Sequence, residues 1–290
     1  MSLPQAPARP RRMDLAGSIP FFALHALALG GAVWTGFSWK LLGLAVLLYY
    51  ARMAGTTIGY HRYFSHRTFK TSRAFQFVLA FWAETSLQKG ALWWAAHHRD
   101  HHKYSDTERD VHSPLDGFWW SHVGWILSPD TKETKFAGIR DFAKYPELVW
   151  LNRHYIVPPT LLGLLLLWLG GWPAVIWGLF LSTVLLWHGT FLVNSLNHVW
   201  GTVRYAAGDL SKNNGLIALL TMGEGWHNNH HHYQSSANQG FFWWEIDLSF
   251  YLLKGLEKVG IVSEVRTPPA HVLLDTIEAR QRGPAMGVEA

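Results

Sequence analysis

The sequence contains no cysteine, which excludes disulfides, thiolate metal sites and cysteine nucleophiles. Charge is scarce: Asp, Glu, Lys and Arg make up 16% of 290 residues, against roughly 25% in ordinary soluble domains. No HExxH motif is present, so a zinc-protease helix is excluded. There is no pair of Glu-x-x-His motifs, the signature of carboxylate-rich di-iron bundles. The net charge of +5 is scattered, without a basic helix or an aromatic-interleaved basic stripe, so nucleic acid is not expected as a partner. An anionic lipid surface fits that charge better.

Two apolar blocks are present instead, from about residue 19 to 60 and from about 155 to 196. One helix crosses the hydrocarbon core with about 20 residues, so each block has room for a helical hairpin. The turns read as Trp34-Thr35-Gly36-Phe37-Ser38-Trp39-Lys40 and Gly170-Gly171-Trp172-Pro173. Tryptophan, of which the chain has 17, favours the membrane–water boundary. A cleaved signal peptide over residues 17–38 leaves the rest of the first block without a role. The expectation is therefore an all-α integral-membrane fold with spans at about 19–38, 41–60, 155–170 and 174–196. Arg9, Arg11 and Arg12 place a tail, residues 1–18, in the cytoplasm. A polar tail is expected over 267–290. The segments 61–153 and 198–290 then form one cytoplasmic cap. Within it, Thr71–Gln88 and Glu245–Val262 read either as helices lying in the membrane interface or as core helices of the cap.

The anomaly is histidine, 17 in all, gathered into clusters on the expected cytoplasmic side. They are His61-Arg-Tyr-Phe-Ser-His66, His98-Arg-Asp-His101-His102 and His227-Asn-Asn-His230-His231. On a helix, His98 can share a face with His101 or His102, and His227 with His230 or His231. A lone histidine is usually a hydrogen-bonded structural residue, and one HxxHH can be a surface zinc site. Three clusters on one face of a chain poor in charge point to metal. Imidazole suits zinc, copper, iron or nickel, but structural zinc needs four ligands and usually cysteine. A histidine-rich pair of irons activating O₂ beside a bilayer fits best.

These boxes, with Gly223-Glu-Gly-Trp-His-Asn-Asn-His-His231, resemble the membrane fatty-acyl desaturases, specifically the acyl-CoA Δ9 (stearoyl-CoA desaturase-like) family, from about Thr57 to Asp247. The resemblance implies nine histidine ligands for two iron ions: His61, His66, His98, His101, His102, His198, His227, His230 and His231. His198 closes Asn194-Ser-Leu-Asn-His198, and Asn194 would reach one iron through water. By offset, Gln88, Trp94 and Thr190 resemble the residues that bend the family's acyl tunnel. Asp110 and His112, and with them His122, would support ligands or structure. His97 and His232 adjoin boxes but lie off the matched positions, and His25 and His188 fall inside spans as hydrogen-bonded imidazoles. Nine carbons beyond the reacting bond extend about 11 Å, so a stop on the second span lies about 7–12 residues before His61. Tyr49 and Tyr50 sit at that edge, Tyr49 at the offset where the resembling family closes its tunnel.

The resemblance implies insertion of a cis double bond, near carbon 9, into a saturated acyl-CoA, with O₂ and two external electrons. The chain departs from the animal acyl-CoA enzymes at Ala96-His97 and Ile126-Leu-Ser-Pro-Asp130, where basic residues meet the phosphates of CoA. Lys89, Arg99, Lys132 and Lys135 are the candidates for replacing that charge, and an acyl-lipid substrate is the alternative. No His-Pro-Gly-Gly haem motif is present, so electrons are expected from a separate ferredoxin-, rubredoxin- or cytochrome b5-type donor with its reductase. The rivals are a di-iron fatty-acid or alkane hydroxylase and a non-catalytic metal or haem-binding membrane protein. Bis-histidine haem leaves most of the boxes unexplained.

Overall fold

The computed structural model describes residues 12–277 and 279. Arg9 and Arg11, with the rest of residues 1–11, and residues 278 and 280–290 of the tail lie outside the described residues. Helix α1 (Ile19–Thr35) carries Pro20 in its first turn, where a missing N–H costs nothing. Helix α2 (Trp39–Ala54) is capped by Ser38, whose hydroxyl accepts the Lys40 N–H at 3.3 Å. It runs on as a π-helical segment, Gly55–Ser65. Helix α8 (Val157–Val175) breaks at Gly171 (φ 64°, ψ −164°), just before Pro173. Only glycine tolerates that backbone readily, and proline cannot continue the hydrogen-bond ladder. A second π segment (Ile176–Leu181) leads into α9 (Ser182–Asn194). Two helical stretches, Trp39–Ser65 and Val157–Val199, are long and apolar enough to cross a membrane, and α1 is a shorter apolar helix. Val33, Trp34, Trp39, Trp168 and Leu169 stand exposed on them.

The remaining helices pack at one end. They are α3 (Arg73–Glu84), α4 (Ala91–Tyr104), α5 (Phe118–His122), α6 (Arg140–Ala143), α7 (Pro146–Arg153), α10 (Leu196–Val199), α11 (Gly215–Leu220), α12 (His227–His232), α13 (Leu248–Lys258) and α14 (Ala270–Leu274). The purely helical expectation needs one correction. Strands β1 (Lys70–Thr71) and β2 (Val262–Ser263) pair antiparallel. This tie holds the start of α3 against the chain leaving α13, and Thr71 Oγ1 adds a bond to the Ile261 carbonyl at 2.8 Å. Helix α3 packs one face into the core. It buries Leu79, Ala80 and Ala83, half-buries Phe75, Phe81 and Trp82, and exposes Val78. Its buried face lies so close to the π segment that a Cβ on Gly59 would stand 2.9 Å from the Leu79 carbonyl. Val272 of α14 is buried with Tyr205 and Phe241, so part of the expected tail docks on the cap.

Two arginines fix the joints. Arg52, buried in α2, donates to the Thr85 carbonyl (3.1 Å), Thr183 Oγ1 (2.6 Å) and the Ser182 hydroxyl. It thereby ties the first hairpin to the second around their π segments. Arg62, inside the first box, forks onto both oxygens of Asp247 (3.0 and 2.9 Å), pairs with Glu224 and donates to the Ala237 carbonyl (2.8 Å). Removing one partner of a buried ion pair costs about 3–5 kcal/mol. Arg62→Met should therefore lower the thermal midpoint of the purified protein sharply. Arg62→Lys should recover only part of the loss, because an ammonium cannot fork. A midpoint unchanged in Arg62→Met would contradict this account.

Candidate metal centre

The eight histidines of the boxes, together with His198, fall into two groups. The imidazole nitrogens of His61, His66, His98, His102 and His230 lie within 4.8 Å of one another, as do those of His101, His198, His227 and His231. The winding of each element explains the division. His61 and His66 are five apart, a spacing that faces opposite ways on an α-helix. The π segment hydrogen-bonds i to i+5, and the His66 N–H meets the His61 carbonyl at 3.2 Å, so both rings turn to one side. On α4 the pair four apart, His98 and His102, serves the first group, while His101 between them serves the second. On α12 the roles reverse: His227 and His231 join the second group and His230 the first. Each short helix thus feeds both groups, an assignment the spacing alone left open.

Within the first group the Nε2 atoms form a run: His66 to His98 at 2.9 Å, His98 to His102 at 2.9 Å, His102 to His230 at 3.0 Å and His230 to His61 at 3.0 Å. In the second group His198 and His227 stand 3.1 Å apart. Nitrogens about 2.1 Å from one metal lie about 3.0 Å apart at right angles and about 3.4 Å apart at tetrahedral angles. The separations fit a five- or six-coordinate ion better than tetrahedral zinc. His231 Nε2 is buried and has no protein partner among the described residues, as a free metal-binding lone pair requires. Burial above all, then the neighbouring imidazoles, holds His66, His98, His102, His227 and His230 well below the ordinary histidine value. They are neutral near pH 7, the form that binds metal.

Carboxylates orient the rings unequally. Asp110 accepts from His101 Nδ1 (2.9 Å), Asp106 from His198 Nδ1 (2.9 Å) and Asp209 from His231 Nδ1 (2.5 Å). In the five-histidine group Glu224 pairs with His61, and Arg62 holds Glu224 in turn. Burial acts to raise the carboxyls of Asp110, Asp209 and Glu224. The adjoining imidazoles and, at Glu224, Arg62 outweigh it, so all three stay low and ionised. Asp110 was expected from the sequence; Asp106, Asp209 and Glu224 were missed. The available signal was the need of every metal-bound imidazole for an acceptor at its other nitrogen. Asp106 follows the second box, Asp209 lies between His198 and His227, and Glu224 stands inside the third motif.

A cavity of about 200 Å³ opens onto both groups, lined by His61, His98, His101 and His227. Gln88, Trp94, Thr190 and Asn194 share its wall. Trp94 Nε1 donates to Gln88 Oε1 (3.2 Å), and Gln88 Nε2 donates to Thr190 Oγ1 (3.1 Å). Trp94 also stacks on His98, ring centres 4.8 Å apart. Tyr49 and Tyr50 do not line this cavity. The Tyr49 hydroxyl donates to the Leu220 carbonyl (2.8 Å), and its ring meets Tyr50 edge-on at 5.0 Å. His112 leans on His101, ring centres 4.1 Å apart. Neither His97, bonded to the Trp93 carbonyl (2.9 Å), nor His232, stacked on Tyr205 (4.2 Å), belongs to a metal group.

Comparison with known proteins agrees with this site. A family model described as fatty acid desaturase matches residues 37–254. The chain is 41% identical over 259 residues, 88% of its length and 94% of the other's, to an sn-1 stearoyl-lipid 9-desaturase of Anabaena variabilis. It is 39% identical over 259 residues to an sn-2 palmitoyl-lipid 9-desaturase of Nostoc sp. (strain 36), covering 87% and 90% of the two chains. Over 261 residues it is 36% identical to an icosanoyl-CoA 5-desaturase of Limnanthes douglasii, covering 88% and 73%.

The unequal carboxylate support has a measurable consequence. Losing an outer hydrogen-bond partner typically costs about 10–100-fold in metal affinity. Asp209→Asn should release one of two bound metal ions at a chelator concentration that leaves the wild type loaded. Equal release of both ions would show that Asp209 does not act through His231.

Proposed function

We propose, from the premise that this chain belongs to the fatty acid desaturase family, that it inserts a cis double bond near carbon 9 of a saturated acyl chain held on a membrane glycerolipid. It is an oxidoreductase whose overall reaction takes –CH₂–CH₂–, O₂, two electrons and two protons to –CH=CH– and two waters. The observation that carries the reading is the apolar-walled cavity that ends on both histidine groups. One iron would be held by His61, His66, His98, His102 and His230. The other would be held by His101, His198, His227 and His231, with Asn194 reaching it through water. The irons, when bound, supply the O₂ activation and C–H cleavage that no side chain offers.

The chain's own residues position the substrate. Trp94, Gln88 and Thr190, linked by hydrogen bonds beside His98, form a rigid corner over which the acyl chain bends. A bend at the reacting carbons presents two hydrogens on one side and so favours the cis product. The walls exclude water, which keeps the site's electrostatics strong. Four spans in two hairpins, Ile19–Thr35, Trp39–Ser65 and the two arms of Val157–Val199, would put both histidine groups on the cytoplasmic face. Electrons would come from a separate small redox protein.

The lipid carrier is favoured over CoA by the cations. Of the four able to meet CoA phosphates, Lys132 pairs with Asp14, Lys135 with Asp100 (2.8 Å) and Arg99 with Asp141 (2.9 Å). Lys89 donates to the carbonyls of Thr131 (3.3 Å) and Lys132 (3.2 Å) and lies over Trp93. The acyl-CoA reading keeps the support of several relatives named as acyl-CoA desaturases, the icosanoyl-CoA 5-desaturase among them.

Purified, iron-loaded protein with a chemical or ferredoxin reductant should convert distearoyl lipid in vesicles to a Δ9 cis product, read by mass spectrometry after double-bond derivatisation. Turnover of stearoyl-CoA alone would reverse the carrier, and a hydroxylated product would replace desaturation by hydroxylation. Thr190→Val should loosen the corner by removing the acceptor of Gln88. Its expected effect is a product mixture with displaced double bonds at full iron content, and a single unchanged Δ9 product would exclude Thr190 from positioning.

A further inference from the structure

Behind one wall of the cavity runs a line of polar side chains that neither histidine group uses. His25 Nδ1 lies 2.8 Å from the Phe21 carbonyl, and His25 Nε2 meets His188 Nε2 at 3.2 Å. His188 Nδ1 meets His122 Nε2 at 2.9 Å, and His122 Nδ1 meets the Ser195 hydroxyl at 2.9 Å. Ser195 Oγ in turn lies 2.8 Å from the Phe191 carbonyl. A carbonyl only accepts, so His25 carries its proton on Nδ1. That choice fixes the neutral rings: His188 donates from Nε2 to His25, and His122 donates from Nε2 to His188, which leaves His122 Nδ1 and the Phe191 carbonyl to share the single Ser195 hydroxyl hydrogen. His188 turns opposite nitrogens to its two neighbours, so the three rings do not converge on a metal.

The line begins and ends on carbonyls of Phe21 and Phe191, both of which line the cavity, as does Trp187 beside His188. Phe21 and Trp187 stack nearly parallel, ring centres 5.3 Å apart at 6°. Outside the same seam between α1 and α9, Phe22 is 52% exposed, Leu185 49% and, on α5, Trp119 71%. The far end of α1 is locked. A Cβ on Gly31 would stand 2.9 Å from the Ile176 side chain, and Trp177 Nε1 donates to Thr35 Oγ1 at 3.0 Å. The near end meets α9 through the stacked rings and the imidazole contact.

We propose that this seam is the door through which the acyl chain of a bilayer lipid reaches the cavity, with the Phe21–Trp187 pair and the histidine line as its latch. The proposal rests on the lipid-linked reading above. A chain that stays attached to its headgroup cannot thread in end-on from water and must slide sideways between helices. The α1–α9 seam has what that requires: an apolar outer face, an aromatic inner face, and a closure that opens by parting one ring stack and one imidazole pair. Neutral imidazoles part and rejoin without leaving a charge in the hydrocarbon.

The chain contains no cysteine, so thiols introduced by His25→Cys and His188→Cys are the sole targets for a bifunctional thiol reagent with a cleavable disulfide spacer. The iron-loaded double variant, in vesicles of distearoyl phosphatidylcholine, serves as its own control. Bridging should cut turnover at least ten-fold, leave bound iron unchanged and be reversed by reductant. Undiminished turnover after bridging overturns the proposal. A wild-type enzyme that desaturates no vesicle lipid would defeat the substrate reading instead, leaving a distinct signature. Should the unbridged variant be inactive, the native protein decides. A phosphatidylcholine with a mid-chain photoreactive group should label α1 and α9 at the seam, and excess distearoyl lipid should displace that label. Displaceable label confined to other helices overturns the proposal.

Discussion

An imidazole can hold a metal only while it is neutral, desolvated and aimed, and nine imidazoles are gathered here at two points. Burial supplies neutrality, because a charged ring is costly where water is absent. Aim is harder, since an α-helix turns residues five apart away from each other. The π winding of Gly55–Ser65 solves this for His61 and His66. It also points Arg62 the other way, into Glu224 and Asp247. The same two carboxylates then reach back: Glu224 orients His61, and Asp247 caps α13 through the Phe250 N–H at 2.9 Å. The histidine groups and the core around α13 are therefore joined in one polar network.

That network is lopsided. Three of four histidines in one group lean on aspartates, while one of five in the other leans on a glutamate. A carboxylate behind an imidazole raises its basicity and fixes its tautomer. The four-histidine group thus compensates for its smaller ligand number with stronger donors, and Asn194 stands beside it on the cavity wall. Two metals in these groups would differ in electron richness despite sharing helices α4 and α12.

The boxes were legible because their spacing is local: pairs four apart on α4 and α12 need only a helix. Their division into two groups was not, since it depends on how α4 lies across α12 and on a π turn that no propensity signals. The hairpins were legible from apolar length and from Gly171–Pro173, where backbone chemistry dictates a break. Gln88, Trp94 and Thr190 were found through resemblance, and their mutual hydrogen bonds span 102 residues, beyond any periodicity. Asp106, Asp209 and Glu224 carry no spacing that ties them to a ring until the fold places each behind one. Arg52 and Arg62 escaped for the opposite reason: a charge in or beside an apolar run looks like an interfacial anchor, whereas these two are buried.

The tyrosines show how one assumed dimension propagates. Placing a stop at Tyr49 took a uniform 1.5 Å rise from His61, but the intervening Gly55–Ser65 winds as a π-helix, which packs more residues per turn. A given depth then takes more residues, so the winding by itself does not move the expected stop away from Tyr49. Tyr49 instead bridges helices: its hydroxyl holds the Leu220 carbonyl, and a Cβ added to Gly189 would crowd the Met53 methyl at 3.1 Å. The stretch Trp39–Ser65 meets the cavity about two turns nearer the histidine groups, at Thr56 and Thr57. Thr57 is bonded to Ser249 of α13 at 2.7 Å, so this part of the cavity wall is fixed by α13 as well as by the π segment. The cavity wall and the histidine groups consequently share supports, since α13 holds Thr57 through Ser249 and Arg62 through Asp247 at its cap.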